Sequence, residues 1–296
     1  TTLPSIFAIS VSFINRVLMK ITFLGTGAAE GIPAVWCECE LCKQAKMLGG
    51  KDIRRRCTYA VDDDTMIDFG PDAVRQTQDA GIDLTRLERI IFTHNHPDHL
   101  SPMELQFRRT GYFSRVSREL TVIGSCRIFS RILSFTAEDC GIYTLADLRI
   151  RPLEIRAGET VTDRGLAVTA LAATHAPGKE AQLFVLERGG KRFFVANDTG
   201  VIADSELERL RGVRLDLVAV DCTMGNSAKR VDGHFGMRGV VEFRDRLRAL
   251  GCLDDASQVY VNHFSHNGLC LHRDLEAFFL PRAIKVAYDG LTVEIQ

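Results

Sequence analysis

His94-Asn95-His96-Pro97-Asp98-His99 gathers three imidazoles and a carboxylate into one short stretch of this 296-residue chain. Such a string can hold two metal ions side by side, with His94 and His96 on one and Asp98 and His99 on the other. Imidazole and carboxylate donors suit Zn, Mn, Ni or Fe rather than Ca or Mg. The residues just before it, Arg89-Ile90-Ile91-Phe92-Thr93, form a short apolar, β-rich run. The donors therefore sit in the loop past the end of a buried strand, where layered α/β folds place their chemistry.

Two ions need about seven to eight protein ligands in all, more than one loop supplies. Further donors stand downstream, each again at a predicted strand end. Residues 166–173 are apolar and β-branched and close in Thr174-His175. Arg192-Phe193-Phe194-Val195-Ala196 runs into Asn197-Asp198-Thr199-Gly200, and Gln258-Val259-Tyr260-Val261 runs into Asn262-His263. A single His after a strand is ordinarily just a polar residue. Repeated placement of ligating residue types at strand ends points instead to one centre. Asp198 is the natural bridging carboxylate, one oxygen to each ion, and His175 and His263 complete the two sites.

A second cluster lies near the amino terminus, in Trp36-Cys37-Glu38-Cys39-Glu40-Leu41-Cys42. Three thiols in CxCxxC spacing are one donor short of a structural zinc tetrahedron. His266, in Asn262-His263-Phe264-Ser265-His266, can be the fourth. One short turn would then present His263 to the catalytic pair and His266 to the thiolates. A Cys3His zinc site would staple the amino-terminal loop to the rim of the active site. Cys57, Cys126, Cys140, Cys222, Cys252 and Cys270 have no metal-ligand spacing and are expected to be buried thiols.

The HxHxDH string, His175, the Asp198 strand end and His263 together resemble the metallo-β-lactamase superfamily, with motifs spread from Gly25 to Gly290. The resemblance implies an α/β fold, the αββα sandwich, with a dinuclear site at the edge where its sheets meet. It also makes Asp68, in Met66-Ile67-Asp68-Phe69-Gly70, the acidic residue behind the histidine loop. There Asp68 would orient a ligand His through its distal ring nitrogen. True β-lactamases usually lack an aspartate at the position of Asp198 and are secreted, whereas glyoxalase-type thioesterases share the ligand set. The CxCxxC cluster narrows the choice, because the combination resembles the PhnP-type subgroup, phosphoribosyl 1,2-cyclic phosphate phosphodiesterases of the carbon–phosphorus lyase pathway.

That resemblance carries over Cys37, Cys39, Cys42 and His266 for structural zinc. For the catalytic pair it carries over His94, His96, Asp98, His99, His175, Asp198 and His263. The stretches Asp221-Cys222-Thr223, Gly233-His234-Phe235 and Tyr288-Asp289-Gly290 also resemble the subgroup. His234 would be a non-ligand that contacts the phosphate and acts as general acid. The chain departs from the subgroup by an extended middle, residues 112–159, which leaves the substrate open. Related CxCxxC proteins include one linked to pyrroloquinoline quinone biosynthesis. Transfer RNA 3′-processing endonucleases share the dinuclear ligands but lack CxCxxC and carry an RNA-binding arm that is not seen here.

The expected function is a metal-dependent phosphodiesterase acting on a small cyclic sugar or nucleotide phosphate, such as 5-phosphoribosyl 1,2-cyclic phosphate. A hydroxide held between two ions would attack phosphorus, with Asp98 and Asp198 in the centre and His234 protonating the leaving oxygen. The expected cofactors are two divalent catalytic ions (Mn or Zn, with Ni or Fe also fitting) and one structural Zn. Alternatives are a glyoxalase-type thioesterase, another metallo-hydrolase, or an RNA-processing phosphodiesterase.

Composition is consistent with a compact enzyme, at 46% hydrophobic residues and a formal charge of -1. That charge gives no bulk reason to bind nucleic acid, so the expected partner is a small phosphodiester, with homodimerisation left open. An odd count of nine Cys, one group of them metal-spaced, points to a reducing cytoplasm. No segment reaches the ~18 uninterrupted apolar residues that span a bilayer. Residues 1–18 are apolar without the basic start of a secretory signal and are read as an extension. Residues 19–296 then form one hydrolase domain. Gly25-Thr26-Gly27 fails as a dinucleotide fingerprint because Glu30 stands where the third Gly belongs. Strands are predicted at 21–24, 65–68, 88–93, 166–173, 182–187, 192–197, 215–220, 258–262 and 284–288, and helices at 71–80, 205–210 and 237–250.

Overall fold

Burial with a period of two organises this chain, and it divides the apolar residues among three cores. A computed structural model describes residues 19–111, 113–228 and 232–296; the expected extension, residues 1–18, lies outside them. The first sheet places β1 (Met19–Gly25), β2 (Thr58–Val61), β3 (Thr65–Ile67), β4 (Arg89–Ile91), β5 (Leu120–Gly124) and β6 (Ile150–Glu154) side by side in chain order. The second sheet does the same with β7 (Thr160–Asp163), β8 (Leu166–Ala172), β9 (Gln182–Arg188), β10 (Lys191–Ala196), β11 (Leu217–Asp221), β12 (Gln258–Asn262) and β13 (Lys285–Val286). The last strand, β14 (Leu291–Ile295), returns to pair antiparallel with β1 and completes the first sheet.

Strands β3 to β6 run parallel, as do β10 to β13. Parallel neighbours need crossover connections, commonly helical ones. Helix α1 (Glu40–Leu48) follows β1, and α2 (Ala73–Asp79), α3 (Pro102–Gln106) and α4 (Cys126–Cys140) connect the parallel strands of the first sheet. In the second sheet the same work falls to α5 (Asp204–Glu208), α6 (Met237–Ala249) and α7 (His272–Phe279).

Between the sheets, Met19, Ile21, Phe23, Tyr59 and Ile91 meet Val168, Phe184, Phe193, Leu217 and Tyr260. The alternate residues of the first sheet, among them Met66, Ile90 and Val122, face Ala73, Leu105, Ile128 and Ile132 of the helices. Those of the second sheet, among them Val185, Phe194, Val218 and Val259, face Leu207, Val240, Phe243 and Leu275. The layers are helices, sheet, sheet, helices, as the αββα expectation has it. Among the described residues no helix is long and apolar enough to cross a membrane.

The predicted strands appear with edges shifted by one or two residues, and the expected strand at 284–288 shrinks to β13. Within 112–159 the chain is largely regular, supplying β5, α4 and β6 to the first sheet and its helix layer. One expectation is corrected: Cys126 is exposed and Cys140 only half-buried. Cys126 lies off the stripe of Ile128, Ile132 and Thr136 that α4 buries at helical spacing, whereas Cys140 continues that stripe at the helix end, where the core covers it only in part. Cys57, Cys222, Cys252 and Cys270 are buried as expected.

Candidate metal centre

The carboxyl ends of the parallel strands open at one edge of the sandwich, and the chain leaves several of them through a polar residue. β3 exits into Asp68, β4 into Phe92-Thr93-His94, β10 into Asn197-Asp198 and β12 into His263. β8, antiparallel to β9, reaches the same edge and exits through Ala173-Thr174-His175. Register then sets side-chain positions, since Val220 pairs with both Ala196 and Val261, and Asp221 pairs with Asn262.

These exits bring the expected donors together. His94, His96 and His175 form one group whose ligating atoms lie within 4.8 Å of one another, and Asp98, His99 and His263 form a second. Asp198 lies between them, with its Oδ2 2.7 Å from His99 Nε2 and 3.1 Å from His263 Nε2. Its Oδ1 is 3.9 Å from His175 Nε2. In the first group His94 Nε2 is 2.8 Å, and His175 Nε2 3.3 Å, from His96 Nδ1.

Groups behind the donors fix which ring nitrogen faces inward. Asp68 Oδ2 lies 2.6 Å from His99 Nδ1, leaving Nε2 for the cluster. The same carboxylate accepts from the Thr93 amide at 2.8 Å, and the Thr93 hydroxyl is 3.1 Å from His94 Nδ1. His263 Nδ1 lies 2.8 Å from the Thr223 hydroxyl, which donates to Asp221 Oδ2 at 2.9 Å. Asp68, Asp198 and His263 all adopt left-handed backbone, at φ of 62°, 48° and 58°. Gly70 permits the histidine loop to close over Asp68, because a Cβ there would meet the Asp98 carbonyl oxygen at 1.8 Å.

The donor set fits metal on one direct observation. His99 Nε2, Asp198 Oδ2 and His263 Nε2 are buried, crowd one another, and have no hydrogen-bond partner. Buried polar atoms are rarely left in that state, and a cation would satisfy all three. Electrostatics divides the cluster in two. Burial holds His94 well below the ordinary imidazole value and lowers His96 and His175, so these rings are neutral, as ligands must be. Burial also opposes charge on His99, but Asp98, Asp198 and Asp68 outweigh it and raise its pKa well above the ordinary value. His263 is raised in the same way, chiefly by Asp198.

His234 stands at the rim of this centre. Its Nδ1 is 3.0 Å from Asp221 Oδ2, and its ring stacks on that of His263 with centroids 5.9 Å apart. Burial works against its charge, yet the fully buried Asp221 prevails and pushes its pKa up to about 9. With Nδ1 committed to Asp221, Nε2 remains for a ligand. Asp221 itself is held by the amides of Thr223 and Phe235 at 3.0 and 2.9 Å.

The cysteine cluster also assembles. Cys37, Cys39, Cys42 and His266 offer atoms within 4.8 Å of one another, and His266 Nδ1 lies 3.4 and 3.5 Å from the Cys37 and Cys39 sulfurs. A zinc tetrahedron with ordinary bond lengths has an S···N edge of roughly 3.6 Å, so the donors fit. Slight burial opposes it, but contacts with His266, Cys42 and Cys37 bring Cys39 down to about 6. Burial, and then the competing Cys39 and Cys37, push Cys42 up to about 12. Three thiolates cannot share this space without a cation to neutralise them.

Two features have no role in the sequence reading. Asp221 is marked there only within a resembling stretch, although it ends β11 just as the donors end their strands. Beneath the centre, the Asn197 and Asn262 amides donate to the Tyr59 hydroxyl at 2.5 and 2.7 Å. No sequence signal marks Tyr59.

A family model described as beta-lactamase superfamily domain matches residues 64–264. Among solved structures, a diphosphatase from the PhnP family is 22% identical with a TM-score of 0.71, covering 94% of this chain and 97% of its own. Zn2+-bound PqqB from Methylobacterium extorquens is 18% identical with a TM-score of 0.70, covering 93% and 99%. Human tRNase Z, short form, is 16% identical with a TM-score of 0.65, covering 94% and 99%. At these identities the likeness is one of fold. An octanoyltransferase of Porphyromonas gingivalis is 32% identical over 90 residues, which span 29% of this chain but 17% of that protein.

Proposed function

This chain belongs to the beta-lactamase superfamily, and from that premise we propose that it is a metal-dependent phosphodiesterase acting on a small cyclic sugar or nucleotide phosphate. Its two mixed sheets flanked by helices are the metallo-β-lactamase fold. In this reading His94, His96 and His175 hold one divalent ion, Asp98, His99 and His263 hold the other, and Asp198 is shared. Mn or Zn suits these donors, and Ni or Fe would also be accepted. Cys37, Cys39, Cys42 and His266 hold a structural Zn. Divalent ions in the main centre supply Lewis acidity and lower the pKa of bound water to around 7.

The protein's own part is positioning and proton transfer. Asp68, Thr93 and Thr223 aim the rings of His99, His94 and His263, and Asp221 keeps His234 protonated. The observation that carries the phosphodiester reading is that charged His234, whose Nε2 is uncommitted. A sugar oxygen leaving phosphorus is a strong base and needs a proton, which a group with a pKa of about 9 can give at neutral pH. A thiol, with a pKa near 8.5, leaves as thiolate without such help.

A second reading, thioester hydrolysis, draws on the partial match to an octanoyltransferase, a name that implies acyl transfer. One assay separates the two. Manganese-loaded protein is given 5-phosphoribosyl 1,2-cyclic phosphate, bis(p-nitrophenyl) phosphate and an octanoyl thioester. Preference for the cyclic sugar phosphate supports the close assignment, and turnover of the artificial diester alone keeps the chemistry but reopens the substrate. Hydrolysis of the thioester alone, by protein with both ions bound, would overturn the phosphodiesterase reading.

A further inference from the structure

One strand over from the histidine loop, β5 ends at Gly124 and the chain passes through Ser125 into α4. The two strands are parallel, with Ile91 against Ile123, and the Phe92 amide donates to the Ile123 carbonyl at 2.8 Å. Neighbouring strands lie about 4.8 Å apart, so the start of α4 stands beside Thr93 and His94. That start is open. Ser125 is the N-cap residue but makes no side-chain cap bond, and its hydroxyl is buried with no hydrogen-bond partner. The Ile128 amide turns back on the Ser125 carbonyl at 3.0 Å, which leaves the Cys126 and Arg127 amides as the donors that a helix start does not fill. Both residues are exposed. A helix of 15 residues also carries partial positive charge at this end.

A second element brings a further cation to the same corner. The loop from β8 to β9 contains Ala176-Pro177-Gly178-Lys179, in which the Lys179 amide donates to the Ala176 carbonyl at 2.9 Å and Gly178 has φ of 80°. Proline followed by a left-handed glycine makes a type II turn, which brings its first and last Cα atoms within about 7 Å. Lys179 is thereby held close to His175, the ligand that precedes the turn. The loop is tied to the histidine segment by the Gln182 amide on the Thr93 carbonyl at 2.9 Å. It is tied to α4 by Glu180, whose Oε1 is 3.3 Å from Arg127 Nε. That pair occupies Glu180, while exposed Lys179 forms no ion pair among the described residues. Its charge reaches the centre: after burial, Lys179 is among the groups that lower the pKa of His96.

Chemistry selects the occupant of this corner. Helix starts bind phosphate through their free amides, guanidinium and ammonium groups pair with its oxygens, and the Ser125 hydroxyl is a further donor. Glu180 is a weak competitor, since a half-exposed pair with a single contact contributes little, and a dianionic phosphate can take Arg127 from it. A diester held by two ions has its one charge already engaged, so the corner calls for a second anionic group on the same molecule. We propose that the start of α4, with Arg127 and Lys179, is a subsite for a terminal phosphomonoester of the substrate while the scissile diester lies at the histidine–aspartate centre. This rests on the phosphodiesterase reading and adds to it the residues that select a substrate bearing a second phosphate.

Ribose 1-phosphate and ribose 1,5-bisphosphate both offer a phosphate to the ions, but only the bisphosphate has another for the corner. Calorimetric titration of manganese-loaded protein should find the bisphosphate bound about tenfold more tightly or better. Lys179→Ala and Arg127→Ala, both changes at exposed positions, should each remove most of that preference. Glu180→Gln frees Arg127 and should widen it, a gain that damage to the fold cannot produce. Equal affinity for the two ligands in the native protein would overturn the subsite. So would a preference that Lys179→Ala and Arg127→Ala both leave intact, which would place the second phosphate elsewhere. Diester hydrolysis by a protein that shows no preference for the bisphosphate defeats the subsite and leaves the phosphodiesterase reading standing. A preference that responds to these variants, in a protein that hydrolyses no phosphodiester, does the reverse.

Discussion

Tyr59 touches no proposed ligand, yet its hydroxyl takes hydrogen bonds from Asn197 and Asn262, the residues just before Asp198 and His263. Both of those donors sit in left-handed backbone, a conformation that costs roughly 1–2 kcal/mol for an L-residue and persists only where its surroundings fix it. Tyr59→Phe keeps the ring edge-on to Phe23 and Phe193, at 5.2 and 5.6 Å, but strips both amides of their shared oxygen acceptor. Metal affinity at the main centre should fall about 10–100-fold, the scale of losing a group that orients ligands. Competition with a chromophoric chelator measures it, with circular dichroism to show an intact fold. Unchanged affinity would mean that the turns hold without the hydroxyl. His234→Ala is the complementary case. It should lower kcat by about 10²–10⁴ while both ions stay bound, and loss of an ion in that variant would make His234 a ligand instead.

Between β13 and β14 the chain turns through Asp289, which ties the carboxyl-terminal strand to the amino-terminal loops. Its Oδ1 accepts from the Thr26 hydroxyl and its Oδ2 from the Arg55 amide, each at 2.7 Å. Burial nevertheless raises its pKa to about 6, against those bonds and the nearby Arg54 and Arg55. The unfolded value is about 3.9, so the folded state holds this proton more tightly. The resulting stabilisation is full below about pH 4 and is lost as pH rises through about 6. Asp289→Asn cannot ionise. Relative to the native chain, the variant should therefore gain roughly 1–2 kcal/mol between pH 4 and pH 7, discounted because Asp289 is only half-buried. Urea unfolding at several pH values measures this; a difference that stays flat with pH would place the ionisation elsewhere. The same scale explains which elements were legible. Strands such as β8, β10 and β12 are continuous apolar runs that end in a polar donor, and they stand out. In β2 only Thr58-Tyr59-Ala60-Val61 pairs, preceded by Arg54, Arg55 and Arg56, and its burial comes from the second sheet. Helix α4 mixes Ile128, Phe129, Ile132 and Phe135 with β-branched and aromatic character, so its 3.6-residue stripe emerges only once the sheet is there to cover it.

Across the whole molecule, the main centre is legible because its donors come from both sheets in residue types that few other roles require. His94, His96, Asp98 and His99 leave the first sheet, and His175, Asp198 and His263 leave the second. The groups that aim these donors are less visible, because Thr93, Thr223, Asn197 and Asn262 are ordinary strand-end residues until their partners are placed in space. A centre drawn from both sheets also makes a thermodynamic claim. Ions bound there join two layers that also meet through the apolar core of Phe23, Phe184, Phe193 and Tyr260, through the Asn197 and Asn262 bonds to Tyr59, and through ion pairs such as Arg188 with Asp62 and Asp64 and Arg89 with Asp163. That core is large enough to keep the chain folded, but ligand linkage adds RT ln(1 + [L]/Kd) on top of it, about 4 kcal/mol at a free metal concentration of 1,000 Kd. For a chain of this size that corresponds to a Tm difference of roughly 6–7 °C. Calorimetry of the manganese-loaded and chelator-stripped protein should therefore give a single transition in each, lower by about that amount after stripping. If the cysteine cluster supplied the shift instead, Cys42→Ser would abolish it. With the main centre as its source, Asp198→Ala removes most of the difference and Cys42→Ser leaves most of it in place.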